Sequence, residues 1–204
     1  WLDDDFYVED DKSDFTLANG KIKKINLMKI SAEDLNNARY LKKNDYSIIQ
    51  IPLRYTQYMF YLGILVPDSK TADIRNYLSE MRFIPQGKEA LLELRMPQFK
   101  FEQTHDKLLK ILQKMGLKDL FGNADLSGIS TDALKISQII QKATIDVNVN
   151  GVEAAAATGG KFVEMADFGP VIPEIYLNIT RPFIFTIGEL NTQLQLFSGI
   201  VYDP

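Results

Sequence analysis

The sequence predicts an α+β fold made mainly of antiparallel strands, with a few helices. Three observations carry that prediction. Residues 21–29, 47–53 and 58–66 are apolar or alternating runs of strand length, and short polar joints separate them. Residues 172–177, 183–188 and 193–201 form a second series of the same kind at the far end of the chain. Between the two series, only residues 73–81 and 104–115 place apolar side chains at helical spacing.

In chain order, residues 1–20 are acidic and aromatic and read as the end of a strand followed by loop. Ile22, Ile25, Leu27 and Met28 suit a half-buried strand, and this run with the next two predicts three neighbouring strands of one antiparallel sheet. Pro67-Asp68-Ser69 ends the third strand; Ile74, Tyr77, Leu78 and Met81 then predict a helix. Residues 89–97 read as a strand stopped by Pro97. Thr104 is placed to cap a helix whose stripe is Leu108, Leu109, Leu112 and Met115, and Gly116 ends it. Residues 121–130 are turn-rich, and residues 134–150 predict a long strand, alternating from Ala143 onward. No repeat, low-complexity linker or change of composition divides the chain, so residues 1–204 are expected to belong to a single domain.

Composition excludes several function classes. The longest apolar run, residues 58–66, is far short of the roughly 20 residues of a membrane helix, so a soluble chain without a membrane partner is expected. A net charge of −4, with positive residues scattered apart from Lys21, Lys23 and Lys24, argues against nucleic acid as a partner. The absence of cysteine rules out disulfides, thiol catalysis and thiolate-bound zinc, and suits a reducing or an oxidising compartment alike. No targeting signal follows Trp1. His105, the single histidine, stands beside Asp106 and reads as a solvated surface residue, with no second histidine to share a metal. No Gly-rich phosphate loop is present, and Asp3-Asp4-Asp5 reads as a solvated turn. The chain is therefore expected not to be an enzyme, with no catalytic residue, metal or cofactor. Tyr55, Tyr58, Phe60 and Tyr61 read as sheet core and rim. Asn178-Ile179-Thr180 is an N-glycosylation pattern with Asn178 as acceptor, a slight argument for secretion.

The unusual stretch is Gly151-Val152-Glu153-Ala154-Ala155-Ala156-Ala157-Thr158-Gly159-Gly160. By propensity four alanines suggest a surface helix or a linker. Against that, the run directly follows a β-rich segment and precedes an irregular stretch that leads into strands. As a strand it would point Val152, Ala154, Ala156 and Thr158 to one face, and Glu153, Ala155 and Ala157 to the other. The first set is small and mostly apolar, so it could enter between existing strands without overpacking the core beneath.

Residues 148–158, Asn-Val-Asn-Gly-Val-Glu-Ala-Ala-Ala-Ala-Thr, resemble the hinge of the serpins, usually Asn-Glu-Glu-Gly-Thr-Glu-Ala-Ala-Ala-Ala-Thr. Arg181-Pro182-Phe183-Ile184-Phe185, then Leu196-Phe197-Ser198-Gly199-Ile200-Val201 and Pro204, are similar to that family's C-terminal signature and last strands. Residues 116–121, 124–130, 94–99 (LRMPQF) and 64–67 (ILVP) match as well, so the likeness spans nearly the whole chain. Trp1 resembles the tryptophan that serpins keep where the third strand of the central sheet leaves the top. The resemblance implies a serpin fold, of which this chain is the C-terminal part, lacking the N-terminal helices and several strands.

It further implies a protease inhibitor acting as a suicide substrate. The protease attacks a loop of about residues 151–173, forms an acyl-enzyme, and is carried across the inhibitor as the cleaved loop enters the central sheet. The hinge would be Gly151, Val152, Glu153, Ala154, Ala155, Ala156, Ala157 and Thr158. Counting from the hinge glycine puts the reactive bond between Met165 and Ala166, with Lys161, Phe162, Val163, Glu164, Asp167 and Phe168 as protease-contacting residues. Met165 would favour a serine protease with an apolar pocket; Lys161 would suit a trypsin-like enzyme, and Phe162 or Phe168 a chymotrypsin-like one. A cysteine protease is a further target class. Departures are Val152 for threonine or serine, Val149 and Asn150 for two glutamates, and extra length before Arg181, near Gly169-Pro170. A non-inhibitory serpin, acting as carrier, chaperone or storage protein, is the alternative. The implied state is a monomer, open to loop–sheet polymerisation. The implied location is extracellular, with the cytoplasm as the alternative.

Overall fold

The computed structural model describes all residues except 2–5, 33–34, 36, 54–59, 82–86, 123, 133 and 153–173. Thirteen strands, one α-helix and two 3-10 helices make up the described secondary structure, which is the strand-rich α+β composition expected. Contacts divide the chain into two compact units, Trp1–Phe99 with Asp146–Pro204, and Lys100–Ile145.

The first unit holds two large sheets. In the four-stranded sheet, β1 (Tyr7–Thr16) pairs antiparallel with β2 (Ile22–Ile30), β2 antiparallel with β7 (Leu92–Pro97), and β7 parallel with β11 (Ile175–Asn178). The six-stranded sheet is antiparallel throughout, in the order β13 (Gln195–Val201), β12 (Phe183–Glu189), β5 (Phe60–Pro67), β4 (Tyr46–Leu53), β3 (Arg39–Lys42) and β6 (Lys88–Glu89). Ile48, Ile49, Ile51, Leu62, Ile64 and Leu65 are all at most 1% exposed. Neighbouring residues of a strand face opposite sides, so this pair of strands is covered on both faces, which explains their unbroken apolar runs.

Several expectations are corrected. Residues 7–16 are a full strand rather than a strand end and loop, joined to β2 by a turn in which Gly20 has φ +80°. Its acidic residues, Glu9, Asp10, Asp11 and Asp14, disguise a strand that sits at a sheet edge, where charge is tolerated. β2 does not pair with β4 and β5, which do pair with each other; β3 intervenes in the chain, and β2 lies in the other sheet. The predicted strand at 89–97 is two strands, because the chain crosses from one sheet to the other at Ala90 and Leu91. Residues 74–81 form a 3-10 helix. Ile74 and Tyr77, three apart and so on one side of it, pack on Tyr46, Ile48, Leu65 and Ile184.

Most of β8 (Phe99–His105) and of β9 (Gln141–Asn148), which lie side by side, belongs to the second unit, where α1 (Leu108–Lys114) follows β8. Thr104 belongs to β8 and caps nothing; Lys107 occupies the cap position without a side-chain hydrogen bond. Gly116, at φ +103°, does stop the helix. Within the expected stripe Leu108, Leu109 and Leu112 are half-buried, whereas Met115 is 77% exposed. Residues 134–140 lie outside any strand, so the long strand predicted at 134–150 begins only at Gln141.

Candidate functional site

β9 alternates as expected, with Ile145 and Val147 buried between half-buried neighbours. Beyond Asn148 the chain reverses through Val149 and Asn150, and β10 (Gly151–Val152) pairs back on it, Gly151 opposite Asn148 and Val152 opposite Val147. Gly151 has φ +134°, a backbone conformation that residues with a Cβ adopt only under strain. A glycine at the expected hinge position is thus required by the turn itself.

Asn148 organises this turn. Its Oδ1 accepts from the Asn150 backbone N–H at 2.9 Å, and its Nδ2 donates to Asp146 Oδ1 at 2.8 Å. Trp1 Nε1–H donates to the carbonyls of both Asn148 and Val149, each at 3.1 Å. The Trp1 ring leans on Phe6, with centroids 4.6 Å apart. One indole therefore holds the two carbonyls that precede the hinge, a contact that the family resemblance of Trp1 did not specify.

At the far end of the loop, the backbone N–H groups of Glu174 and Ile175 both donate to Leu91 O, which starts β11 beside β7. Residues 153–173 lie between these two anchors and outside the described residues. That stretch contains the expected hinge residues Glu153 to Thr158, the reactive bond Met165–Ala166, and the contact residues Lys161, Phe162, Val163, Glu164, Asp167 and Phe168. Gly151 and Val152 are the hinge residues whose positions are described.

The remaining motifs come together around β12. Arg181 Nε donates to Pro67 O, so the Arg-Pro signature is fastened to the end of the Ile-Leu-Val-Pro strand. Burial pushes the Arg181 guanidinium pKa down, and Asp68 opposes the change. Phe99, from the 94–99 motif, meets Phe183 and Phe185 at 5.6 and 5.1 Å. Three separately recognised motifs therefore form one packed anchor for the segment that follows the loop.

His105 is exposed at the end of β8, and no cluster of three His, Asp or Glu that could hold a metal occurs among the described residues. A hollow of about 620 Å³ beside β6 offers Glu89 and Glu174 among Leu35, Ala38 and Leu91. Among its described lining residues there is no nucleophile paired with a base, as hydrolytic chemistry needs. Asn178 is exposed at the end of β11.

The family model described as Serpin (serine protease inhibitor) matches residues 2–204. The chain belongs to the serpin family. The family is described by protease inhibition, not by an enzymatic activity. A serine protease inhibitor of Rattus norvegicus is 32% identical over 194 residues, covering 91% of this serpin chain and 45% of the relative. Leukocyte elastase inhibitor of Bos taurus is 42% identical over 118 residues, covering 56% of the chain and 30% of the relative. Among solved structures, Serpin48 of the insect Tenebrio molitor superposes with a TM-score of 0.73 at 30% identity, over 95% of this chain and 50% of that one. The fold is therefore the serpin fold, and the chain spans about half the length of the curated relatives it matches.

Proposed function

We propose that the protein is a suicide inhibitor of serine proteases with apolar specificity pockets, cleaved between Met165 and Ala166. The observation that carries this reading is the hinge: Gly151 and Val152 turn back and pair with the end of β9, and the residues after them are small and almost uncharged. A strand of that composition can join a sheet beside β9 without overpacking what lies beneath.

In this reading the protease nucleophile attacks the Met165 carbonyl, the amine of Ala166 departs, and the acyl-enzyme stays attached to the hinge. Insertion then adds ladder hydrogen bonds at about 0.5–1.5 kcal/mol each, so ten of them supply roughly 10 kcal/mol toward distorting the protease. Met165 fits an apolar pocket, and the likeness to a protein named leukocyte elastase inhibitor agrees with that choice.

The test is incubation of the whole protein with elastase-like, chymotrypsin-like and trypsin-like enzymes. An SDS-resistant complex is expected with the first two, together with a peptide beginning at Ala166 after denaturation. Complete cleavage without such a complex would mean that the loop is a substrate and that the protein is a non-inhibitory serpin. A cut solely after Lys161 would remove Met165 from its role.

A further inference from the structure

The four-stranded sheet has two outer strands, and they are built on different principles. β1 carries Glu9, Asp10, Asp11, Lys12 and Asp14, and its pairing with β2 is irregular between Val8 and Lys12. Charge and bulging are the usual means by which an edge avoids recruiting another strand. β11, on the opposite edge, reads Ile-Tyr-Leu-Asn, with no charge, no proline and no register shift. Tyr176 is 63% exposed on it. The inward backbone groups of this strand are engaged, since Ile175 N–H donates to Leu91 O and Ile179 N–H to Arg95 O. By alternation the N–H groups of Tyr176 and Asn178 face away from β7.

Asn178 closes that edge. Its side chain is exposed and has no hydrogen-bond partner among the described residues. Thr180 completes Asn-Ile-Thr, the one such pattern in the sequence. Ile179 is fully buried and the Thr180 carbonyl accepts from Thr16 N–H at 2.8 Å, so the backbone following Asn178 is pinned. A bulky group on Asn178 would extend into solvent without disturbing the core.

We propose that Asn178 carries an N-linked glycan that shields the uncharged edge of β11. In the transfer, Asn178 Nδ2 bonds to the anomeric carbon of an oligosaccharide as the bond from that carbon to a lipid diphosphate donor breaks. The lipid diphosphate leaves, and the amide proton passes to the transferase. The inference does not depend on insertion of the loop.

The experiment is secretion of the whole protein from a eukaryotic host behind a signal peptide. Amidase removal of the glycan is expected to bring the electrophoretic mobility to that of Asn178→Gln and to convert Asn178 to aspartate in its peptide, while Thr180→Ser keeps the glycan. On a sizing column, deglycosylated protein and Asn178→Gln should shift to earlier elution, and adding Tyr176→Lys to Asn178→Gln should restore the later position. If Asn178→Gln does not fold, enzymatic deglycosylation of the folded protein makes the same comparison. Unmodified Asn178 in the secreted protein would overturn the site. Identical elution with and without the glycan would overturn its role at the edge.

Discussion

The indole of Trp1 spends its single N–H on two carbonyls, those of Asn148 and Val149, in the turn that leads to Gly151. Trp1→Phe keeps an aromatic ring against Phe6 and deletes that donor, leaving both acceptors without it. In the whole protein the substitution is expected to cost about 1 kcal/mol, read as a lower midpoint in urea with an unchanged slope. Gly199 makes a different kind of demand. A Cβ there would meet the Phe185 ring at 2.7 Å, and that ring already packs on Phe99. Gly199→Ala should destabilise by about 1–3 kcal/mol in the same measurement. The motifs around both residues were legible as family resemblance. Their partners were not, because a hydrogen bond from residue 1 to residue 148 leaves no local trace in composition or spacing.

At the scale of elements, the 3-10 helix Ile74–Met81 is fastened to the start of β4 by a pair of tyrosines. Tyr46 donates to Glu80 at 2.7 Å, Tyr77 donates to Asp45 at 2.8 Å, and the two rings meet edge to face at 5.5 Å. Burial, and then the bond to Glu80, pushes the Tyr46 phenol up to about 12 from its ordinary 10.0. The fold favours the neutral phenol, so its contribution is fully present below pH 10.0 and is lost as pH rises toward 12. Thermal midpoints should fall across that window, and Tyr46→Phe should flatten the fall while lowering stability at neutral pH. Helical spacing at 74–81 was visible in the sequence, yet it did not separate a 3-10 helix from an α-helix, since both bring residues three apart together. Strands buried on both faces, β4 and β5, announced themselves by continuous apolar runs. β1 was hidden because an edge strand can be charged, and the split between β6 and β7 was hidden because two consecutive strands of opposite sheets read as one.

For the whole molecule, sequence likeness identified the fold, while the pairing of strands across the chain emerged only from the structure. The segment after the loop is a case in point. β11 lies beside β7 in one sheet, whereas β12 runs between β5 and β13 in the other, with Phe183 and Phe185 buried and Arg181 fastened to Pro67. A protease that severs the backbone anywhere in 153–173 therefore produces two polypeptides that stay joined through two sheets at once, along the β7–β11 and β5–β12 pairings. Such nicked protein should migrate as a single species under native conditions and yield its short C-terminal piece only when denaturant dissolves both sheets. Release of that piece from the native molecule would show that these two pairings do not hold it.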